Sequence, residues 1–522
     1  MLSLLIVQSY LIIIFLLLFR FINACIKPSG CNNSVYLHRY STMKRAIFRV
    51  RQVCVVTIAA LLLYCGCSWD KEFTTDYRYS LSFSADTVKM DTVFAGVTSA
   101  SDCFMIYNNN SCGLRLDAVL AGGSGSAFRI NLDGQGGTQI TDLEIPSGDS
   151  LYCFVSVKIP ESEATELFYA FDSIRFVLES GKVQYVRLSA YGQNAIRLKG
   201  RRVEHDTILD ARLPYLVYDS LYVSEGATLT LAPGTRLFFH CDAVLDVAGR
   251  LVADGSIDSV ILMRGDRLDD MQTIPPIPYD LVAGQWGGIR LRSNSYGNLF
   301  RYCDIHSSEF GIKADSASAE ETKFSLYSSI IHNVNTNCIQ ATGCRIEVAN
   351  TQITNAGVSC IDVAGGWSDF TFCTIAGFSL WSIGSQAVLL SDHRNSVEIP
   401  LVGAQFKNCI ITGRHSDEFV TELSDSIRKK DIYYVGNSLV MSTDTVDIHY
   451  HSVLFDSHDK ETGGAANFKG KSRNGYRSVY EIDSLSSARG IADSLSLVWP
   501  LDLRGTPRPP SGADAGCYQF VL

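Results

Sequence analysis

The chain has 522 residues, with 45 basic and 54 acidic side chains, a formal net charge of −9 and sixteen cysteines. Its first 66 residues hold seven Lys or Arg and no acid, so removing them takes the net charge from −9 to −16. That balance excludes a nucleic-acid binder, whose electrostatic footprint is basic, and disfavours acidic polysaccharides unless cations or a local basic patch intervene.

Two hydrophobic segments open the chain. Leu2 to Phe21 is long enough to span a bilayer. Val53 to Leu63 is shorter, follows the basic stretch Met43-Lys44-Arg45 with Arg49 and Arg51, and runs into Leu63-Tyr64-Cys65-Gly66-Cys67. A basic start, an apolar middle and a small residue before a cysteine read as a secretory signal over 43–66. Its ending resembles a bacterial lipobox, with Tyr64 as the looser match. The resemblance implies cleavage before Cys67 and a lipid anchor on that residue; the other reading is a plain signal peptide cut nearby. A membrane helix upstream of a complete signal is redundant, so 1–42 read as a spurious upstream extension with translation starting at Met43. The alternative is a single-pass anchor. Ser68-Trp69-Asp70-Lys71-Glu72 begins a polar tether over 67–78, and its acids resemble the surface-export signal of Bacteroidetes lipoproteins.

Short alternating strands follow. Tyr79 to Phe83, Phe128 to Leu132 and Asp149 to Val155 alternate apolar and polar residues, and Ser173 to Leu178 with Val183 to Leu188 flank Glu179-Ser180-Gly181-Lys182, a hairpin pattern. About seven strands in about 110 residues suit an immunoglobulin-like β-sandwich over 79–192, a fold that carries no function by itself.

From 193 onward the chain is periodic. Isoleucines stand at 305, 331, 353, 375 and 411, and a second set stands at 312, 339, 361 and 383. Phe300, Leu326, Val348, Phe370 and Phe406 precede the first set by five residues, and Cys303, Ser329, Thr351, Cys373 and Cys409 precede it by two. Three apolar columns and one of small residues, moving in one register, mark a solenoid. Runs such as Phe406-Lys407-Asn408-Cys409-Ile410-Ile411, rich in β-branched residues and closed by Gly413, favour strands over helix pairs. The expected fold is therefore all-β, with a parallel β-helix over 193–480 and a closing element over 481–522.

Both ends of this body carry motifs. Gly226-Ala227-Thr228-Leu229-Thr230-Leu231-Ala232-Pro233-Gly234, then Val247-Ala248-Gly249-Arg250-Leu251-Val252-Ala253-Asp254-Gly255 and Trp286-Gly287-Gly288-Ile289 open it; Asp502 to Arg508 and Asp514-Ala515-Gly516-Cys517-Tyr518 close it. Over about residues 200–522 the chain resembles the right-handed parallel β-helix lipoproteins of Bacteroidetes, which have the pectin-lyase-like fold. The resemblance implies that the last element is a cap closing the final coil, with Asp502, Arg508 and Asp514 in that structural role. Cys517 and Gln519 replace the family's alanine and glutamate.

Eleven cysteines lie beyond Cys67, an odd number, and several occupy column positions, so most read as packing groups rather than disulfides. Cys103 with Cys112 is the one local pair to test. No Cys/His spacing matches a zinc site, so no metal is expected. GxSxG, P-loop, dinucleotide and HExxH motifs are absent.

Catalysis on a β-helix flank needs carboxylates converging on neighbouring coils, to hold calcium near a base or to act as acid and base. Asp304, His306, Lys313, Asp315, His332 and Asp362 are the residues to watch, with Asp369 further along; His306 and His332 follow column isoleucines and stack outward, which suits an acid–base or metal pair, but the next two rungs carry Thr354 and Ala376, which favours an ordinary exposed ladder. Long corner loops hold Asp392, His393 and Arg394 and, separately, Arg264 to Gln285. Trp367, Trp381 and Tyr296 are aromatic groups for stacking on sugars or for packing against the coil. The expected protein is an outer-membrane lipoprotein, surface-exposed or facing the periplasm, whose non-catalytic head binds glycan or serves a structural or adhesive role. A polysaccharide lyase or glycoside hydrolase is the alternative, with calcium as cofactor only in the lyase case. The partners expected are the membrane through Cys67 and a polysaccharide, with no nucleic acid; nothing in the sequence sets an oligomeric state.

Overall fold

The computed structural model describes residues 73–521, apart from 272, 274, 429 and 472–477. The upstream extension, the signal segment and Cys67 lie outside the described residues. The tether expected to reach residue 78 is already docked at Phe73, which bridges to Gly113 and lies under the guanidinium of Arg115.

Residues 82–193 form two five-stranded sheets, ten strands among the described residues rather than the expected seven. The expected hairpin is present and longer than its sequence pattern, pairing Phe168–Leu178 with Val183–Gln193 through a turn at Gly181, whose φ is +81°. Inward residues of both sheets, among them Phe104, Ile130, Val155, Phe176 and Leu188, share one core. The first long strand, Thr87–Phe94, pairs in parallel with Val183–Gln193 while the other pairings are antiparallel. No disulfide joins Cys103 to Cys112, the local pair that the sequence singles out.

The chain enters the second body almost without a linker, from Gln193 to the strand Ile196–Val203. There it winds into large parallel sheets of eighteen and ten strands, a parallel β-helix. Three strips run along it. One contains Asn298–Arg301 and Thr322–Tyr327, the next Cys303–His306 and Ile330–Val334, and the third Ile312–Ala314 and Ile339–Thr342. Ladder pairing stacks Ile305, Ile331, Ile353, Ile375 and Ile411 in one column, and Phe300, Leu326, Val348, Phe370 and Phe406 in another. Stacked coils bury one continuous apolar interior in which each rung covers the last. Sulfur and hydroxyl groups of the small-residue column pack inside it, with the Cys303 amide donating to Ser329 Oγ at 3.0 Å and the Cys409 amide to Ser438 Oγ at 2.9 Å.

The second isoleucine column needs one correction. Ile361 pairs with Val388, not Ile383, and Ile383 is 70% exposed. A loop over residues 378–387 lengthens that coil, and the 22-residue step to Ile383 is a coincidence of loop length. Val388→Ala is therefore expected to cost about 2–3 kcal/mol, while Ile383→Asp stays within about 0.5 kcal/mol, both read from chemical-denaturation midpoints.

A ladder of left-handed residues turns the chain between the first two strips: Tyr302, Ser328, Asn350, Phe372, Asn408 and Asn437 all have positive φ. Asn is among the few residues other than glycine that visit this conformation readily, and Asn350 is held in the ladder by Nδ2 donating to Ser328 Oγ of the neighbouring rung at 3.0 Å. Phe372 has no such compensation and is buried against Ala492 and Ala513.

Those alanines belong to the closing element, whose contacts lie along the coil flank. Leu503, Ala515, Cys517 and Tyr518 cover Ala376, Ile410 and Leu439 from outside. Tyr518 donates to Gln352 Oε1 at 2.7 Å, and the Gly516 amide to Asn408 O at 2.8 Å. The cap expected on the last coil is thus a strap over several rungs. Asp502 accepts the amides of Arg504, Thr506 and Gln519, and Asp514 those of Gly490 and Phe520. Gln519 donates its side-chain amide to Asp514, which an ionised glutamate at that position could not do.

Candidate functional site

Three side chains that are remote in sequence meet on the second strip. His306 and His332 occupy adjacent rungs, paired in register, and their rings stack at 4.6 Å with 26° between planes. Asp304 precedes His306 by two residues on the same outward parity, which lets its Oδ1 lie 3.0 Å from His306 Nδ1 and 3.2 Å from His332 Nε2. The long loop after Arg264 folds back and adds a second carboxylate, Asp280, whose Oδ1 is 3.1 Å from His306 Nε2 and which also pairs with Arg264. Ser307 Oγ donates to the Asp280 carbonyl at 3.0 Å, and Trp381 Nε1 donates to the Leu281 carbonyl at 2.6 Å, so the loop is fastened on both sides. Trp286, buried beneath, donates from Nε1 to the His306 carbonyl at 2.9 Å.

The pair is not the exposed ladder that alternation alone predicts: side-chain exposure is 3% for His306, 13% for His332 and 30% for Asp304. Burial opposes charge on both partners. The ionic contact with His306 and the bonds from both imidazoles outweigh it and hold the Asp304 carboxyl well below the usual carboxylate range. For His306, burial is likewise outweighed, by Asp304 and Asp280 together, and its pKa is raised.

The other predicted acids do not join this cluster. Asp362 lies on the third strip, gripped by Arg394 through two bonds of 2.8 and 2.9 Å. Asp315 pairs with Arg290 at 2.9 Å, and Lys313 stacks between Arg290 and Gln340 with its ammonium 5.9 Å from the Phe310 ring. Asp369 accepts from Thr371. Asp392 is buried, accepts from the Ser424 amide at 2.9 Å and lies 3.1 Å from His393; burial is outweighed by these bonds, and its pKa is lowered. Neighbouring carboxylates are each engaged within the fold instead of converging on one open point.

The aromatic candidates divide. Trp367 has the backbone of Gly403 against its ring and Arg345 beside it at 5.9 Å, and Tyr296 lies near the Lys323 ammonium at 5.2 Å while accepting from the Ser318 amide. Neither offers the free platform that sugar stacking requires. Trp381 remains 44% exposed. Arg394, committed to Asp362, is not an open ligand clamp.

A larger opening went unread in the sequence. Between the flank of the C-terminal coils and the hairpin Phe468–Lys471 with Ser478–Ile482 lies a groove of about 720 Å³. Phe378, Phe468 and Tyr480 pack together along it, with centroids 5.2 to 6.4 Å apart, and Leu380 and Met441 extend the apolar lining. Arg414, His415, His458 and Lys460 also line it, against a single carboxylate among the described residues, Asp459. His415 Nε2 is buried with no hydrogen-bond partner among the described residues. Only the pairing of a coil flank with a strapped-down hairpin assembles these groups, which lie between residues 378 and 480.

No family model matches the chain, and no curated protein matches it. Among solved structures, the chain is similar to PapD-like domain 7 of human CEP192, at 10% identity over 23% of this chain and 89% of that one. It is also similar to a family 123 glycoside hydrolase from Clostridium perfringens, at 12% identity over 23% and 30%, and to the periplasmic chaperone SfaE, at 10% over 22% and 57%. Each similarity has a TM-score of 0.16, too low to bear on the fold of the whole chain.

Proposed function

We propose that the protein is a surface lipoprotein of the Bacteroidetes type whose β-helix head binds glycan without cleaving it. In this reading Cys67 carries the lipid at the outer membrane, the immunoglobulin-like sandwich is the spacer, and the solenoid is right-handed and pectin-lyase-like. The lipobox-like ending at Gly66-Cys67 and the motifs at both ends of the solenoid support the address and the class.

The groove beside Phe378 and Tyr480 is the observation that carries the ligand reading. Its volume lies in the range of small-molecule sites, and its lining combines aromatic and apolar groups with a few polar ones. Two permanent cations, Arg414 and Lys460, against one anion make it a basic opening in an acidic chain, which suits a sugar bearing carboxylate or sulfate. Glycosidic cleavage uses two carboxyl groups flanking the bond, and the described residues of the lining hold one.

Residues 68–522 are expected to be retarded on a native gel containing an acidic polysaccharide, with no fall in the size of that polymer. Arg414→Ala with Lys460→Ala is expected to weaken the association about tenfold, the sum of two exposed ionic contacts, and more at low salt than at high. Equal migration across neutral and acidic polymers would sink the glycan reading and put protein adhesion in front. Shortening of the polymer would turn it to the lyase or hydrolase alternative.

A further inference from the structure

We propose that Asp304, His306 and His332 form a binding site for a divalent cation of the zinc type, with Asp280 as the group that orients one ligand. One ligand atom from each of Asp304, His306 and His332 lies within 4.8 Å of the other two, and Asp304 Oδ1 faces both His306 Nδ1 and His332 Nε2. Two ligands bound to zinc at about 2.0–2.2 Å in tetrahedral geometry are about 3.3–3.5 Å apart. The two carboxylate-to-imidazole separations here are 3.0 and 3.2 Å, a few tenths of an ångström short of that spacing, and the stacked rings, with 26° between their planes, turn toward the ion as it binds.

Three features beyond proximity favour an ion. The ligands come from two neighbouring rungs held in register by the ladder, so the backbone fixes their spacing. The second nitrogen of His306 faces the Asp280 carboxylate at 3.1 Å, the carboxylate–histidine arrangement that aims a metal-bound imidazole and sets its tautomer. Asp304 is 30% exposed and His332 13%, so the cluster is reached from solvent at its Asp304 edge. The donor set also selects the ion. Two imidazoles with one carboxylate suit zinc and its neighbours, whereas calcium takes oxygen ligands, six to eight of them. The two histidines are 26 residues apart, and the column register that places them on adjacent rungs is what brings them together, one turn of the solenoid apart.

The ion replaces the hydrogens that lie between Asp304 and the two rings. No redox step is involved, and the ion's role in the fold is to tie the loop carrying Asp280 to the flank through His306.

The test uses the full chain stripped with chelator, then titrated with Zn²⁺ calorimetrically and with Co²⁺ by visible absorption. One ion per chain is expected, with a four-coordinate cobalt spectrum that lacks thiolate-to-metal charge transfer. That last feature separates the site from Cys241, the exposed thiol. Removing a ligand by His332→Ala abolishes this binding, and Asp280→Asn weakens it about 10–100-fold. Calcium at the same concentration produces no heat from the site. A six-coordinate aquo-cobalt spectrum, a thiolate band, or zinc binding unchanged by His332→Ala would each overturn the proposal and leave a hydrogen-bonded knot alone. The cobalt spectrum is read on the unmutated chain, so the test survives a variant that fails to fold. Failure of polysaccharide retardation leaves it untouched, because groove and cluster share no residue.

Discussion

Gly288→Ala is expected to destabilise the β-helix by about 3–5 kcal/mol, far more than an ordinary glycine substitution. Gly288 sits in Trp286-Gly287-Gly288-Ile289 with φ at +108°, outside the region that side chains adopt readily. A Cβ there would overlap the carbonyl oxygen of Phe310 and come within 2.8 Å of its ring. Neither neighbour yields easily. Phe310 belongs to the next coil, where its carbonyl precedes the strand Ile312–Ala314 that pairs with Gly288–Leu291. On the other side Trp286 is buried, stacked on Phe239 at 4.1 Å with 10° between planes. Dihedral strain of about 1–3 kcal/mol therefore adds to overpacking of about 1–3 kcal/mol. Gly234→Ala is the matched control: φ is +82°, but the added carbon meets only Ala211 at 3.5 Å and Ser259 at 3.8 Å. It is expected to cost about 1 kcal/mol, the left-handed penalty alone. Denaturation midpoints at unchanged slope measure both. Equal losses at the two positions would mean that the close approach to Phe310 is not what requires glycine.

This close approach is one of the places where sequence and fold agree, and the reason is physical. A solenoid repeats one local problem, the covering of an apolar rung, and each solution leaves the same residue type at the same offset. Ile305, Ile331 and Ile353 are legible for that reason. Ile383 was misread because a loop lengthened the coil without disturbing the spacing, and only pairing of Ile361 with Val388 reveals the true column. Turn positions were less legible, since Tyr302 and Phe372 share a left-handed ladder with Asn350, Asn408 and Asn437 and hide its asparagine character. For the site, Asp304, His306 and His332 could be named from strand parity. Their burial and the arrival of Asp280 could not, because a loop docking back on its own coil leaves no periodic trace. The groove escaped for the same reason, its walls coming from a coil flank and a hairpin that no repeat relates.

Loss of Arg508 is expected to release the closing strap while the coils beneath stay wound. Arg508 is buried, and its guanidinium reaches Asn350 Oδ1 at 2.7 Å and the carbonyls of Leu501 at 2.6 Å, Trp499 at 3.2 Å and Gly516 at 3.2 Å, above the Phe372 ring at 4.2 Å. It thereby holds both arms of the strap, residues 499–501 and 516, against the turn ladder of the helix. Burial pushes its pKa down to about 10, despite the nearby Asp502 and Asp514 that favour the charge. The side chain is thus costly to bury and is kept there by its hydrogen bonds. Arg508→Ala leaves the buried Asn350 amide oxygen and Gly516 carbonyl with no donor and hands the part-buried Trp499 and Leu501 carbonyls to water, a loss of about 2–4 kcal/mol for the strap. Arg508→Lys keeps the charge, but one ammonium cannot span acceptors on both arms and the turn, so it recovers less than half of that. The Phe372 side chain, whose left-handed backbone is tolerated only under this cover, loses its lid as well. Limited proteolysis is the sensitive readout: cleavage confined to residues 483–521 of Arg508→Ala, with the remainder resistant, is the expected pattern. Simultaneous digestion of the coils would show that the strap and the solenoid fold as one unit, and resistance equal to the unmutated chain would remove Arg508 from the role of fastener.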